Sequence, residues 1–410
     1  MDTKLKYLVM TADRFPPNRV DVRVLFGEEL AVRGHEVDWL MQSDRPLKRN
    51  GVQRFGNGTA WIGAAVAGNS TLAKALRQLQ AFFNDFRVFS LALRNRYDCI
   101  QVKDKFIGAL LGLIAARLSG AKFVYWLAFP FPEAWLQDAR EGTSPHPLVD
   151  RVRGWISGVL LYRLILPCSD LTFVQSDEMK RVVAAKGIPA DRMFAVPMGV
   201  SVGLLSTGGE TKSELVRSPA VLYLGSMLPI RRLNFVLESF VRVLEVVPNA
   251  TLYMVGGERA IDIEVLRAEA KRLHIANRVV FTGSMPRDEA LKWTRSADVC
   301  VSPLFPTPIF DLASSTKLVE YMALGKAVVG NRHPDQGRVI DESGGGLCVP
   351  YEVRAFADAI ITLLKDPERA RAMGEQGRKY VAQFRSYPRI ADGVASIYES
   401  IVGANATDAK

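Results

Sequence analysis

The sequence predicts an α/β protein built from two doubly wound, Rossmann-like domains in series. Three observations carry this reading. Short apolar runs of strand length alternate with helix-period segments from the start of the chain. The alternation breaks once, in a Gly-, Ser- and Thr-rich stretch near residues 200–218, and then resumes with the same logic. A length of 410 residues, 48% of them hydrophobic, is enough for two domains with large cores.

The elements follow in order. Lys6 to Thr11 reads as an apolar strand, followed by the loop TADRFPPNRV and a helix-period segment from Asp21 to Arg33 that Gly34 stops. Glu36 to Met41 alternates as a second strand. DCIQV (98–102), a helix through GALLGLIAARL, KFVYWLA (122–128) and LTFVQS (171–176) continue a mostly parallel pattern. Beyond the break, strand AVLYLG (220–225) opens the second half. Helix Leu233 to Val247, strand 250–256, helix Ile263 to Leu273 and strand 278–283 come next. Helix Arg287 to Ser296, strand 298–303, helix Ser315 to Leu324, strand 326–330 and a helical C-terminus complete it. The expected boundaries are 1–204, 205–384 and a final segment, 385–410, that Pro388 separates from the preceding helix. In that segment Ile390, Val394, Ile397, Tyr398 and Ile401 form one helical stripe.

Composition narrows the function classes. Four scattered cysteines, Cys99, Cys168, Cys300 and Cys348, read as buried thiols of a reducing compartment. The four histidines are equally dispersed, so local spacing builds no metal site, and no cofactor is implied. A net charge of +10 suits an anionic partner. The basic residues form no aromatic-interleaved stripe, which argues against nucleic acid and for a membrane surface with a phosphate-bearing ligand. The N-terminus has no signal-peptide pattern and no apolar run reaches spanning length, so a cytoplasmic protein is expected, or one peripheral on the inner face of the cell membrane.

Two expected helix starts carry cations where acids are usual. Arg231 and Arg232 open one helix and Lys317 lies in the first turn of another, each opposing the helix dipole by ~0.3–1 kcal/mol. A bound anion at strand ends and helix N-termini explains both placements; solvated surface cations are the alternative. Glu320 shares the face of Thr316 and Lys317 one turn deeper. A phosphate at the helix tip leaves it ~6 Å away, within reach of ribose hydroxyls. An ion pair with Lys317 is the competing reading. Gly225 and Gly256 end strands, where a missing side chain lets a ligand approach backbone. The dinucleotide and phosphate-loop glycine patterns are absent.

The span SSTKLVEYMALGKAVVGN, with YLGSMLPIRR, NATLYMVGG, NRVVFTGSMPRDEALKWTRSADVCVSP and ESGGGLCVPYEVRAFADAI, resembles the donor half of glycosyltransferase family 4, a retaining family with the GT-B fold. The resemblance covers roughly residues 218–375, and LTFVQSDEMKRVVAAKGIPADRMFAVPMGV matches the family's end-of-domain segment. It implies two domains facing across a cleft, a last helix crossing back to the N-terminal domain, and a nucleotide-sugar donor such as a UDP- or GDP-sugar. It assigns Glu320 to the ribose and Arg231 to a phosphate-binding lysine's place. Gly225, Ser226, Arg232, Gly256, Gly283, Met285, Ser315, Thr316 and Leu318 complete the implied donor set. Two departures stand out: Leu312 replaces the first acid of the family's Glu-x7-Glu motif, and Ser226 replaces a phosphate-site arginine. Lys317 and the N–H groups of Ser315 to Lys317 are expected to take over diphosphate binding.

The resemblance further implies transfer without a protein nucleophile or metal: cations, with Arg231 and Lys317 in the catalytic role, hold the leaving diphosphate as it gains charge. Asp13, Arg14 and Asn18 are the expected acceptor-side residues. Basic amphipathic stretches at 71–96 and 148–166 suit an anionic membrane, with ordinary domain helices bearing solvated faces as the alternative; docking on a membrane points to a lipid-linked saccharide acceptor in polysaccharide or glycoconjugate biosynthesis. Two rivals remain: a nucleotide-sugar epimerase using Asp13, Glu133 or His333, and a non-catalytic sugar-nucleotide sensor.

Overall fold

The computed structural model describes residues 4–17, 19–68, 70–206, 216–217 and 219–408. The chain divides into two units, Met1–Pro197 with Tyr387–Lys410, and Met198–Ser386.

The first unit is wound around eight strands: β1 (Lys6–Phe15), β2 (Glu36–Ser43), β3 (Gly51–Phe55), β4 (Gly58–Gly63), β5 (Cys99–Lys103), β6 (Lys122–Leu127), β7 (Leu171–Val174) and β8 (Met193–Ala195). Their order is β3-β4-β2-β1-β5-β6-β7-β8, parallel except for the β3–β4 pair. The central strands β5 and β7 are buried along their whole length, as expected of parallel strands covered on both faces. The edge hairpin β3–β4 was not anticipated. Its outer strand is polar and largely exposed, so hydrophobic periodicity is silent there, and the usable signal is the turn Gly56-Asn57-Gly58. The segment from Asp21 is helical, but Asp21–Glu29 is wound as a π-type helix, with the Leu30 N–H donating to the Leu25 carbonyl five residues back.

The chain's last helix, Tyr387–Asp408, belongs to this unit. Tyr387, Val394 and Tyr398 are buried in its core, with Ile390, Ile397 and Ile401 packed against the same cluster. The Tyr398 ring lies 4.6 Å from that of Tyr7 and 5.4 Å from that of Phe173, and its hydroxyl bonds to the Gln101 side chain. Arg33 ties the outer face down, 2.5 Å from Asp392.

The second unit carries β9 (Ala220–Leu224), β10 (Thr251–Val255), β11 (Val279–Gly283), β12 (Val299–Ser302), β13 (Ala327–Asn331) and β14 (Gly346–Val349), in the order β11-β10-β9-β12-β13-β14 and all parallel. Apolar clusters cover both faces of the sheet, so it is doubly wound. Residues 198–204, expected in the first domain, lie in this unit: Val200 and Leu204 are buried in its core, and the Val200 N–H donates to the Arg385 carbonyl at 2.8 Å. Most of the expected linker, 207–215 and 218, lies outside the described residues. The cysteines depart from expectation at two positions: Cys99 and Cys300 are buried, but Cys168 is exposed and Cys348 is half-buried.

Candidate functional site

Strand order reverses between β9 and β12, and the loops leaving neighbouring strands there diverge to open a crevice at their carboxyl ends. Gly225, Ser226 and Arg231 follow β9; Ser315 to Glu320 follow β12. Leu224 is fixed at the strand end by the Tyr321 hydroxyl, which its N–H reaches at 2.7 Å. Gly256 approaches so closely (φ +108°) that a Cβ there would stand 2.5 Å from the Gly225 carbonyl oxygen. Gly283 is bridged to Gly256 and faces open space.

Lys317 is at the centre of the group. Its Nζ donates to the Tyr223 hydroxyl at 3.0 Å and lies 4.1 Å from that ring's centre. Burial, and then the charge of Arg231, push its pKa well below the usual lysine value, with Glu320 opposing. Arg231 donates from Nε to the Ser226 hydroxyl at 3.4 Å and packs over Phe310 at 5.2 Å. Two cations thus repel one another at a helix tip, an arrangement that an anion would stabilise.

That helix is Thr316–Ala323, capped by Ser315, whose hydroxyl accepts from the Leu318 N–H at 3.4 Å. By helix geometry the N–H groups of Thr316 and Lys317 have no intrahelical acceptor. The loop before it is anchored by a buried network. The Ser314 hydroxyl donates to Asp335 at 2.7 Å and accepts from the Met198 N–H at 3.0 Å, and Arg385 pairs with Asp335 at 2.5 Å.

Several expected residues sit differently. The buried Glu320 pairs with Arg287, at 2.5 Å, and not with Lys317. Arg287 opens the helix Arg287–Ser296, a cation against the dipole, so the signal that singled out Lys317 marks it too; it was overlooked. Arg231 and Arg232 do not open a helix. Arg231 ends the short turn Pro229–Arg231, and Arg232 is left-handed (φ +51°), 5.4 Å above Phe305, before the helix Asn234–Val246 begins. Leu318 offers a ligand little, because its side chain is core and its N–H is taken by the cap. Met285 packs partly buried on the same core, and Leu312 is a buried side chain where the motif acid was expected.

In the first unit Asp13 is held within an ionic network. It accepts from Lys103 at 2.7 Å and from the Thr11 hydroxyl at 2.7 Å, beside the Arg19–Asp21 pair at 2.8 Å. Burial pushes the neighbouring Asp104 up to about 6 despite Lys103. Arg14 is exposed, and Asn18 lies outside the described residues. The remaining acid/base candidates have structural partners. His333 caps the helix Pro334–Ser343 and its other ring nitrogen lies 2.7 Å from the Phe310 carbonyl. Glu133 accepts from the Tyr162 hydroxyl at 2.7 Å and pairs with Lys186. Among the described residues no group of three His, Cys, Asp or Glu could hold a metal ion.

Residues 218–366 match the family model described as "Glycosyl transferases group 1", and residues 24–199 match "Glycosyl transferase 4-like domain". A D-inositol 3-phosphate glycosyltransferase of Segniliparus rotundus is 27% identical over 52% of this chain. A GDP-mannose-dependent alpha-(1-6)-phosphatidylinositol monomannoside mannosyltransferase of Mycobacterium tuberculosis is 29% identical over 52% of this chain. The matched stretches span only 48% and 58% of those two relatives. The fold of sucrose-phosphate synthase from Thermosynechococcus elongatus superposes with a TM-score of 0.73 at 18% identity, covering 97% of this chain and 100% of that one. With one family segment in each unit and the GT-B fold throughout, the chain belongs to the family 4 glycosyltransferases.

Proposed function

We propose that the protein transfers a sugar, with retention, from a nucleoside-diphosphate sugar to a lipid-linked saccharide in polysaccharide or glycoconjugate biosynthesis, at the inner face of the cell membrane. The observation that carries this reading is the Lys317–Arg231 pair at the tip of a capped helix, with Glu320 one turn deeper. The pair takes the diphosphate together with the N–H groups of Thr316 and Lys317, and Glu320 accepts from the ribose hydroxyls, with Arg287 holding its carboxylate in place.

The chemistry is electrostatic. As the bond from the anomeric carbon to the diphosphate lengthens, negative charge grows on the diphosphate where cations and helix N–H groups are already oriented. The incoming diphosphate favours the ammonium form of Lys317, reversing the effect of burial. The departing oxygen then takes the acceptor hydroxyl's proton. The activities of the two relatives, one GDP-mannose-dependent, support a UDP- or GDP-sugar donor and an acceptor that carries phosphate or lipid. Among the described residues no helix is long and apolar enough to cross a membrane, which accords with peripheral attachment.

Incubation with donor sugars in the absence of acceptor tests the reading. Slow release of nucleoside diphosphate and free sugar supports a transferase. A new sugar isomer in its place identifies an epimerase, and tight binding with no turnover identifies a sensor.

A further inference from the structure

A surface helix ordinarily buries its apolar stripe and leaves its polar face in water. The helix Thr71–Asp85 of the first unit does the reverse. Its buried residues are Ala73, Asn84 and Asp85. The polar side chains that point inward are all engaged. Asn84 donates to the Met41 carbonyl at 3.1 Å, and Gln80 accepts from the Val66 N–H at 3.0 Å. Arg77 donates to the Val66 carbonyl at 3.2 Å, and Asp85 pairs with Lys105 at 2.5 Å. These bonds fix the rotation of the helix about its axis. Rolling the apolar face inward would break them.

That outward face is continuous. Leu72, Leu76, Leu79, Phe83 and, just past the helix end, Phe86 are 70%, 39%, 50%, 62% and 43% exposed. They recur in steps of four, three, four and three residues, the spacing of a seam between paired helices. With about 200 Å² for each large side chain, the stripe leaves about 500 Å² of apolar surface in water. Two such stripes laid together cover about 1000 Å², the size at which a specific protein interface begins.

The charges decide what covers it. Lys74 and Arg77 lie on the other side of the helix, in the wall of a cavity, and Arg87 is turned onto the Trp61 ring at 5.6 Å. The residues flanking the seam, Ala75, Gln80 and Phe82, carry no charge. An anionic lipid surface is met by Lys and Arg at the edge of the apolar face. The helix Pro147–Val159 has that pattern, with Arg140 and Arg151 beside Val152 and Trp155, whereas the seam lacks it. On a chain of net charge +10, an uncharged stripe lets two copies meet without bringing like charges together.

We propose that this face pairs with the same face of a second copy, in a two-fold dimer whose Thr71–Asp85 helices lie antiparallel across Leu79. In that arrangement Leu79 meets its twin, Leu76 meets Phe83 and Leu72 meets Phe86, so each smaller side chain faces a larger one. A two-fold axis through one helix pair closes the assembly at two copies. The pairing uses no residue of the donor site.

Sedimentation velocity of the full chain across the micromolar range tests it. The expected result is a reversible monomer–dimer equilibrium, at least about tenfold weaker in Leu79→Glu/Phe83→Glu. Both positions are exposed, so the variant should keep its circular dichroism and its nucleotide binding. Orientation is read in a Cys168→Ser background with a short bismaleimide. Leu79→Cys should couple to its twin, and Leu72→Cys should not, because its two copies lie about 20 Å apart in the antiparallel pair. A chain that stays monomeric throughout, a dimer indifferent to the double variant, or coupling at Leu72→Cys but not at Leu79→Cys would each overturn the proposal. So would a monomer whose binding to phosphatidylglycerol vesicles is lost in Leu79→Glu/Phe83→Glu, which would give the stripe to the membrane.

Discussion

Lys317 is a lysine whose environment opposes its charge. Burial and Arg231 depress its pKa, so part of its ammonium form is lost before the usual lysine range is reached. A folded pKa below the unfolded one destabilises the unliganded fold below the folded value, and the penalty fades as pH rises toward the unfolded value. Nucleoside-diphosphate binding should therefore take up protons and weaken as pH rises through the folded pKa, and Lys317→Met should flatten that profile. Calorimetry in buffers of different ionisation enthalpy measures the uptake directly; no proton uptake would count against Lys317 as the diphosphate ligand. Lys317→Ala and Glu320→Gln should each weaken nucleotide binding by ~1.5–3 kcal/mol, the loss of one charge-assisted hydrogen bond. Unchanged affinity in both folded variants would remove the donor assignment. Arg287→Ala leaves the Glu320 carboxylate buried and unpaired. Because the arginine is itself 37% exposed, the expected loss of stability is only about 1–2 kcal/mol, read from chemical denaturation.

At the scale of elements, two devices hold the site and the chain's end. The Asp335–Arg385 pair is 3% and 5% exposed and anchors the loop that delivers Ser314 and the capped helix. Burial alone would raise the Asp335 pKa, but Arg385 and Ser314 hold it below the ordinary carboxylate value. That stabilisation is therefore complete above about pH 4 and is lost as pH falls through the lower folded pKa. Arg385→Ala removes one partner of Asp335 and leaves Arg338, at 3.3 Å, and the Ser314 hydroxyl, so it should cost ~1.5–3 kcal/mol and weaken nucleotide binding as the helix tip loosens. The final helix is held by Tyr398 among Tyr7, Phe173 and Gln101. Tyr398→Ala should destabilise the first unit by ~3–5 kcal/mol, as for a large buried aromatic, and Tyr398→Phe by only about 1 kcal/mol. Hydrogen exchange should show the loss across β1 and β5; faster exchange confined to residues 198–386 would contradict the packing described.

For the whole molecule, the proposed donor site leaves anion binding to side-chain and helix charges. In the proposed site Arg231 and Lys317 neutralise the diphosphate in place of a divalent ion, so transfer activity should survive EDTA. Complete loss that only added metal restores would show that the cations do not suffice. Charge-based binding should also fall with ionic strength; nucleotide affinity unchanged between 50 mM and 500 mM salt (about 14 Å and 4 Å screening lengths) would argue that the cations act mainly in packing.

The alternation of apolar strands with helix-period segments determined by itself the two doubly wound units, because burial on both faces of a parallel sheet writes an apolar run that periodicity detects. The cation at the start of the helix Thr316–Ala323 was legible for a related reason: Lys317 contradicts a local electrostatic preference, and such contradictions can be read without contacts. Other features depended on partners far away in sequence. Arg287 stands 33 residues before Glu320, and Lys103 stands 90 residues after Asp13; no local pattern pairs either set. The tertiary structure also decided that Arg232 turns to Phe305 and that the Leu318 N–H is already capped. A one-dimensional pattern records which face of an element is apolar, whereas the partner of a buried charge is chosen by whichever side chain the packed elements bring within ion-pair distance.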